Sequence, residues 1–253
     1  MKFKVVIPAR FASSRLPGKP LLEIAGKPML EHVYHRATTS GAQQVVIATD
    51  DERIKSVAEG FGAQVCMTSE SHLSGSDRVA EVGRQLQWDG HSIVVNLQGD
   101  EPLIPPRIIR QVAENLDRYD EARLSTLCVP IDSMEEFTDP NVVKVVRDKN
   151  EFALYFSRAP IPAVRSDPNA SEKPSPQMAY RHIGLYAYRL DYLNIYTRLP
   201  RCRLEKMERL EQLRVIFNGD RIHVAEALVT PGPGVDTTDD LAKLRRLFAV
   251  VER

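Results

Sequence analysis

The chain has 253 residues, with 43% hydrophobic and 27% charged side chains and 34 basic residues against 34 acidic ones. That length supports a sizeable hydrophobic core, and the even charge balance gives no global field to recruit nucleic acid or a membrane surface. Cys66, Cys128 and Cys202 are scattered without a Cys-x-x-Cys pair; with no leader-like N-terminus and no spanning apolar run, they read as reduced thiols of a cytoplasmic protein.

Phe3–Ile7 predicts a buried strand. Behind Pro28 a helix follows, with Leu30, Val33, Tyr34 and Ala37 on one face. Val45–Ala48 is the next strand, and Ile54, Val57, Ala58 and Phe61 mark the next helix. A strand at 64–67, a helix over Asp77–Leu86 and a strand over Ile93–Leu97 follow. Pro105-Pro106 then opens a helix bearing Ile108, Val112 and Leu116. This alternation predicts an α/β fold whose parallel sheet is covered on both faces.

The second half changes character. Leu124–Ile131, Val142–Val146 and Phe152–Phe156 read as strands with less helix between them, so the sheet becomes mixed. Residues 159–176 hold five prolines and read as a lid loop. A strand over Ile183–Tyr188, one helix over Glu205–Phe217, a strand over Ile222–Ala225 and a closing helix over Thr238–Val250 complete the expectation. The chain reads as a single domain over 1–253, with residues 1–120 mainly binding a nucleotide and an inserted part at 121–235.

The first strand runs into Pro8-Ala9-Arg10-Phe11-Ala12-Ser13-Ser14-Arg15-Leu16-Pro17-Gly18-Lys19. Residues 1–22 carry five cations and no acid. A cationic loop at the C-terminal end of a central strand suits a polyphosphate; a solvated basic turn is the plainer alternative. The loop is neither a Rossmann nor a Walker A motif: no G-x-G-x-x-G follows the strand, and Gly18-Lys19 precedes Pro20 instead of Ser or Thr. Asp100 follows the strand 93–97, either as a turn residue or as a carboxylate pointing into the ligand crevice. Asp236 precedes the last helix, either as its N-cap or as a second carboxylate for a hard cation. In Ser74-Gly75-Ser76-Asp77-Arg78, backbone N–H groups could hold a base edge or phosphate, or Ser76 could cap the helix. Arg158 and Arg165 flank the start of the proline-rich loop, placed to pair with a carboxylate or to stay solvated. His182 and Tyr186 share a strand face. His32 and His35 lack a third metal ligand and read as surface or partly packed residues.

Together these segments resemble the CMP-KDO synthetases, the 3-deoxy-manno-octulosonate cytidylyltransferases. The runs that carry the resemblance are IPARFASSRLPGKPL (7–21), SGSDR (74–78), VNLQGDEP (95–102), YFSRAPIP (155–162), RHIGLYAY (181–188), LEQLR (210–214) and PGVDT (233–237). The resemblance implies a three-layer, nucleotide-diphospho-sugar-transferase-like α/β core with a mostly parallel mixed sheet and an inserted sugar-facing, dimerisation part. It implies Mg²⁺-dependent transfer of CMP from CTP to 3-deoxy-manno-octulosonate (KDO), releasing pyrophosphate, in a cytoplasmic homodimer serving lipopolysaccharide synthesis. By the same resemblance Arg10, Ser14, Arg15, Lys19, Gly75 and Arg78 would bind the nucleotide. Asp100 and Asp236 would hold Mg²⁺, and with Lys19 they form the catalytic set. Gln98, Arg158, Arg165, His182, Tyr186, Glu211 and Gln212 would face the sugar. The rival expectations are an amino-substituted octulosonate or sialic acid as acceptor, a nicotinamide dehydrogenase, and a non-catalytic CTP-sensing domain.

Overall fold

The computed structural model describes residues 1–12, 16–163 and 179–251. The first strand, β1 (Phe3–Ala9), is buried along both faces: Phe3, Val5, Ile7 and Ala9 enter one core cluster and Val6 the other. A two-strand hairpin, β2 (Glu23–Ile24) and β3 (Lys27–Pro28), leads into α1 (Met29–Thr38). Then come β4 (Gln44–Thr49), α2 (Glu52–Gly60), β5 (Gln64–Met67), α3 (Gly75–Gln85), β6 (Ile93–Asn96) and α4 (Pro106–Arg118).

β7 (Ala122–Pro130), α5 (Met134–Thr138), β8 (Lys144–Arg147) and β9 (Ala153–Ser157) follow, and then β10 (Tyr180–Arg189) and α6 (Leu190–Tyr196). The rest is α7 (Arg203–Glu208), α8 (Leu213–Phe217), β11 (Arg221–Glu226) and α9 (Thr238–Val251). The main sheet runs β11-β7-β10-β6-β1-β4-β5, with β8 paired to β10 and to β9. β1 is parallel to β4 and β6, whereas β10 is antiparallel to both β6 and β7.

Helices α1, α2 and α4 cover one face through Leu30, Ile54 and Ile108; α3, α6 and α8 cover the other through Val79, Leu193 and Leu213. This is the three-layer α/β core with a mixed sheet that the sequence leads one to expect. The chain moves outward from β1 through β4 and β5 and then returns to β1's other edge with β6. That reversal leaves a crevice above the C-terminal ends of β1 and β6.

The expected single helix over Glu205–Phe217 is two short ones. Arg209 ends α7 with φ 55° and ψ 46°, left-handed backbone that breaks a right-handed helix. The apolar spacing of 205–217 looks continuous, but Arg158 Nε donates to the Glu208 carbonyl at 2.8 Å, which holds the end of α7. Leu210 is buried across the break, and Glu211 and Gln212 are turned toward the crevice.

Candidate active site

Gly18 adopts φ 68°, a conformation cheap only for glycine, and its N–H donates to the Phe11 carbonyl at 3.0 Å. This turn starts a short 3₁₀ segment, Lys19–Leu21, and aims Lys19 back across the crevice. Lys19 Nζ donates to Asp100 Oδ2 at 2.6 Å, to the Val235 carbonyl at 2.8 Å and to Asp236 Oδ1 at 3.2 Å. The approach of the last segment is fixed by packing. Val235 is buried with Leu16, Ile24, Met29 and residues of α9, and its N–H donates to the Asp100 carbonyl at 3.0 Å. Gly234 supplies the remaining clearance, because a Cβ there would lie 2.9 Å from Glu101 Oε1.

Asp236 does not cap α9. Thr237 Oγ1 accepts from the Asp240 N–H at 3.2 Å, while Asp240 Oδ2 accepts from the Thr237 N–H at 3.0 Å, a reciprocal capping arrangement that leaves the Asp236 carboxylate at Lys19. Likewise Ser74, not Ser76, caps α3: it accepts from the Asp77 N–H at 3.2 Å, and Asp77 returns the bond. Gly75 is thereby the first residue of α3 and lines the crevice.

Arg10 donates to the His72 carbonyl at 2.6 Å and the Ser74 carbonyl at 3.2 Å, so it ties the end of β1 to the loop before α3. Burial and then the nearby Arg78 lower its pKa. Arg78 is fully buried and donates to Asp50 Oδ2 at 2.6 Å and to Thr68 Oγ1. It underlies the crevice and braces the ends of β4 and β5, but it is not part of the lining. Ser14 and Arg15 lie outside the described residues.

Two adjoining cavities result. The larger, about 430 Å³, carries Arg10, Lys19, Gly75, Gln98, Asp100 and Asp236 on its walls. The smaller, about 200 Å³, shares Gly75, Gln98 and Glu211 with it and adds Asn96, Tyr186 and Gln212. Their chemistry differs. The first is rich in fixed charge. In the second, burial raises the pKa of both Tyr186 and Glu211, which favours uncharged hydrogen-bonding groups.

His182 stands behind Tyr186, with ring centroids 5.3 Å apart, and its Nε2 lies 2.9 Å from Thr126 Oγ1. Burial pushes the imidazole down to about 3, so it is neutral at pH 7. Arg158 is outside the lining. Its Nε and Nη1 donate to the Glu208 and Pro140 carbonyls at 2.8 and 3.0 Å. Arg165 and most of the proline-rich loop lie outside the described residues.

Sequence reasoning passed over Asn96, Tyr188, Glu101 and Glu208. Glu101 sits beside Asp100, and burial, followed by the Asp100 charge, pushes its carboxyl up to about 7. Its place in the Asp100-Glu101 pair was the available signal. Glu208 gave none, since its role is to accept from Ser157 Oγ at 2.6 Å and the Arg158 N–H at 2.9 Å.

A family model described as cytidylyltransferase matches residues 4–222. The 3-deoxy-manno-octulosonate cytidylyltransferase of Thioalkalivibrio sulfidiphilus is 56% identical over 98% of this chain and 99% of its own length. That of Nitrosococcus oceani is 53% identical over 100% and 99%. This chain belongs to the 3-deoxy-manno-octulosonate cytidylyltransferase family. A solved CMP:2-keto-3-deoxy-manno-octonic acid synthetase complexed with CTP superposes with a TM-score of 0.89 at 44% identity, covering 99% of this chain and 100% of that one. A cytidylyltransferase from Leptospira borgpetersenii, at 20% identity and a TM-score of 0.63, shares the fold. Membership in the cytidylyltransferase family makes the chain a nucleotidyltransferase, which sets aside the dehydrogenase and the non-catalytic sensor.

Proposed function

We propose that the larger cavity receives CTP and the smaller one the acidic sugar, so that CMP passes from CTP to the anomeric hydroxyl of KDO and pyrophosphate leaves. Family membership supports the reaction. The observation that carries the site assignment is Lys19 Nζ, held within 3.2 Å of both Asp100 and Asp236 at the strand-end crevice.

In the reaction an oxygen–phosphorus bond forms at the α-phosphorus, the bond to the pyrophosphate oxygen breaks, and the hydroxyl's proton passes to solvent water. Such in-line transfers are catalysed mainly by positioning and charge neutralisation. Lys19, also held by the Val235 carbonyl at 2.8 Å, supplies a positive charge in the crevice that offsets the negative charge moving to the leaving group. Arg10, fixed to two carbonyls, adds a second cation on the β1 side. We place Ser14 and Arg15 on the same triphosphate, Gly75 against the nucleotide, and Arg78 beneath it as a support. Gln98, Tyr186, Glu211 and Gln212 present hydrogen-bonding groups to the sugar, with His182 holding Tyr186 from behind. Arg158 acts from outside the lining by fixing the end of α7, and the family resemblance assigns Arg165 to the sugar carboxylate.

Asp100 and Asp236 fit a magnesium ion. Two carboxylate oxygens already converge on one cationic nitrogen, and among the described residues no group of three His, Cys, Asp or Glu could hold a metal alone. Mg²⁺ accepts such a partial protein set because substrate phosphates and water complete its shell. When bound it supplies Lewis-acid neutralisation of phosphate charge.

We further infer a cytoplasmic homodimer in which residues 121–235 supply both sugar and dimer contacts. No described helix is long and apolar enough to cross a membrane. The role in lipopolysaccharide synthesis follows from the product. Pyrophosphate release by the purified protein with CTP and Mg²⁺ tests the reading: release is expected with KDO and not with sialic acid or without sugar. A calibrated mass by analytical ultracentrifugation tests the dimer.

A further inference from the structure

Asn96 is the last residue of β6, after the apolar run Ile93-Val94-Val95, and it is 2% exposed. Its side-chain carbonyl, Oδ1, has no hydrogen-bond partner among the described residues. Buried polar atoms are nearly always paired, and an orphan acceptor costs stability, so its retention calls for a cause. The residue lines the smaller cavity, directly across the antiparallel pair from Tyr186. Its amide nitrogen is packed on the α3 side, where a Cβ at Gly75 would lie 3.6 Å from Nδ2.

Three other polar groups of that wall, Ser76, Tyr188 and Glu211, are already paired. Ser76 Oγ lies 3.4 Å from the Tyr188 hydroxyl and 3.3 Å from Glu211 Oε2. Asn96 Oδ1 is thus a buried acceptor with no partner among the described residues, on a residue that lines the cavity we assign to a polyhydroxylated acid. We propose that Asn96 Oδ1 accepts a hydrogen bond from a hydroxyl of the bound sugar and selects for the acceptor's hydroxyl pattern. The assignment rests on the reading of the smaller cavity as the sugar site. A site built to hydrogen-bond a substrate hydroxyl rejects an analogue that lacks it, because its own buried group is then left unpaired.

The test pairs Asn96→Leu, a near-isostere without the acceptor, with a series of KDO analogues that each lack one hydroxyl. For Asn96→Leu, kcat/KM for KDO should fall about tenfold, with KM for CTP within about twofold of wild type. One deoxy analogue should lose a similar factor with the wild-type enzyme and nothing further with the variant. The thermal midpoint of Asn96→Leu without substrate should equal or exceed that of wild type, an outcome that a purely structural role for the amide does not give. Unchanged kcat/KM for KDO, a matching rise in KM for CTP, or no coupling to any deoxy analogue would overturn the inference. If Asn96→Leu does not fold, the same cycle with Asn96→Ala decides. No pyrophosphate release by the wild type with KDO would instead defeat the reading of the sugar cavity itself.

Discussion

Lys19 Nζ and Asp100 Oδ2 stand 2.6 Å apart, joining two loops 81 positions apart in sequence at the C-terminal edge of the sheet. Neither group is deeply shielded, with 13% and 30% side-chain exposure, so the pair is accessible to a ligand. Lys19→Ala should lower kcat about 10²–10³-fold, as removal of one preorganised electrostatic donor does. Asp100→Ala should fall by the same order. Steady-state pyrophosphate release at saturating CTP, KDO and magnesium is the measurement, and wild-type turnover in either variant contradicts the assignment.

Asp236 and its neighbours separate catalysis from capping. Asp236→Ala should lose about two orders of magnitude in turnover with little change in thermal midpoint, since its carboxylate is half exposed and the cap on α9 is made by Thr237 and Asp240. Thr237→Ala removes the cap on α9 and should cost about 1 kcal/mol of stability with far less effect on turnover. Paired denaturant and kinetic measurements on the two variants check this. A reversed pattern would make Asp236 a structural residue.

Much of this site was legible because its chemistry is local in sequence. Arg10, Lys19, Asp100 and Asp236 all lie just beyond strands or before a helix, where topology alone aims them at a crevice. What escaped depends on contacts between distant segments. The break at Arg209 is set by the clasp between Arg158 and Glu208, 50 positions apart, and no periodicity reports it. The burial of Arg78 under α3 depends on Asp50 and Thr68 from two other strand ends. Ser74 and Ser76 are both plausible caps by composition; the reciprocal bond from Asp77 decides between them. Elements of fewer than eight residues, such as α5 and α6, carry too few apolar positions to show a period.

The buried pair Arg214–Glu205 supports the sugar wall from behind. Arg214 Nη2 and Nε reach the two Glu205 oxygens at 2.6 and 2.8 Å, with both side chains under 10% exposed. Glu205→Gln leaves a buried guanidinium without its counter-charge and should cost ~3–5 kcal/mol in chemical denaturation. Because Arg214 lies in the first turn of α8, two residues after its N-cap Gln212, KM for KDO should rise more than KM for CTP. Equal stability of the variant and wild type would show that the pair contributes little.

His223 gives stability a defined pH dependence. It is buried, stacked on Tyr119 with ring centroids 4.0 Å apart, and burial with the nearby Arg147 and Arg118 pushes its pKa from 6.5 down to about 4. Between those values the unfolded chain takes up a proton that the native imidazole refuses. This residue's effect is therefore absent above pH 6.5, and it destabilises increasingly as pH falls toward 4. At pH 5 His223→Phe should recover about 2 kcal/mol relative to its difference from wild type at pH 7.5. Urea denaturation at the two pH values measures it; a pH-independent difference would remove His223 from the account.

The central claim is the chemical outcome of bringing CTP and KDO together in this crevice. ³¹P NMR of the purified protein with CTP, Mg²⁺ and KDO reads it directly. The account predicts equimolar pyrophosphate and a single new phosphodiester resonance, with neither in the tube that lacks KDO. Unchanged CTP in the complete mixture, or hydrolysis to CMP and pyrophosphate irrespective of the sugar, would contradict it.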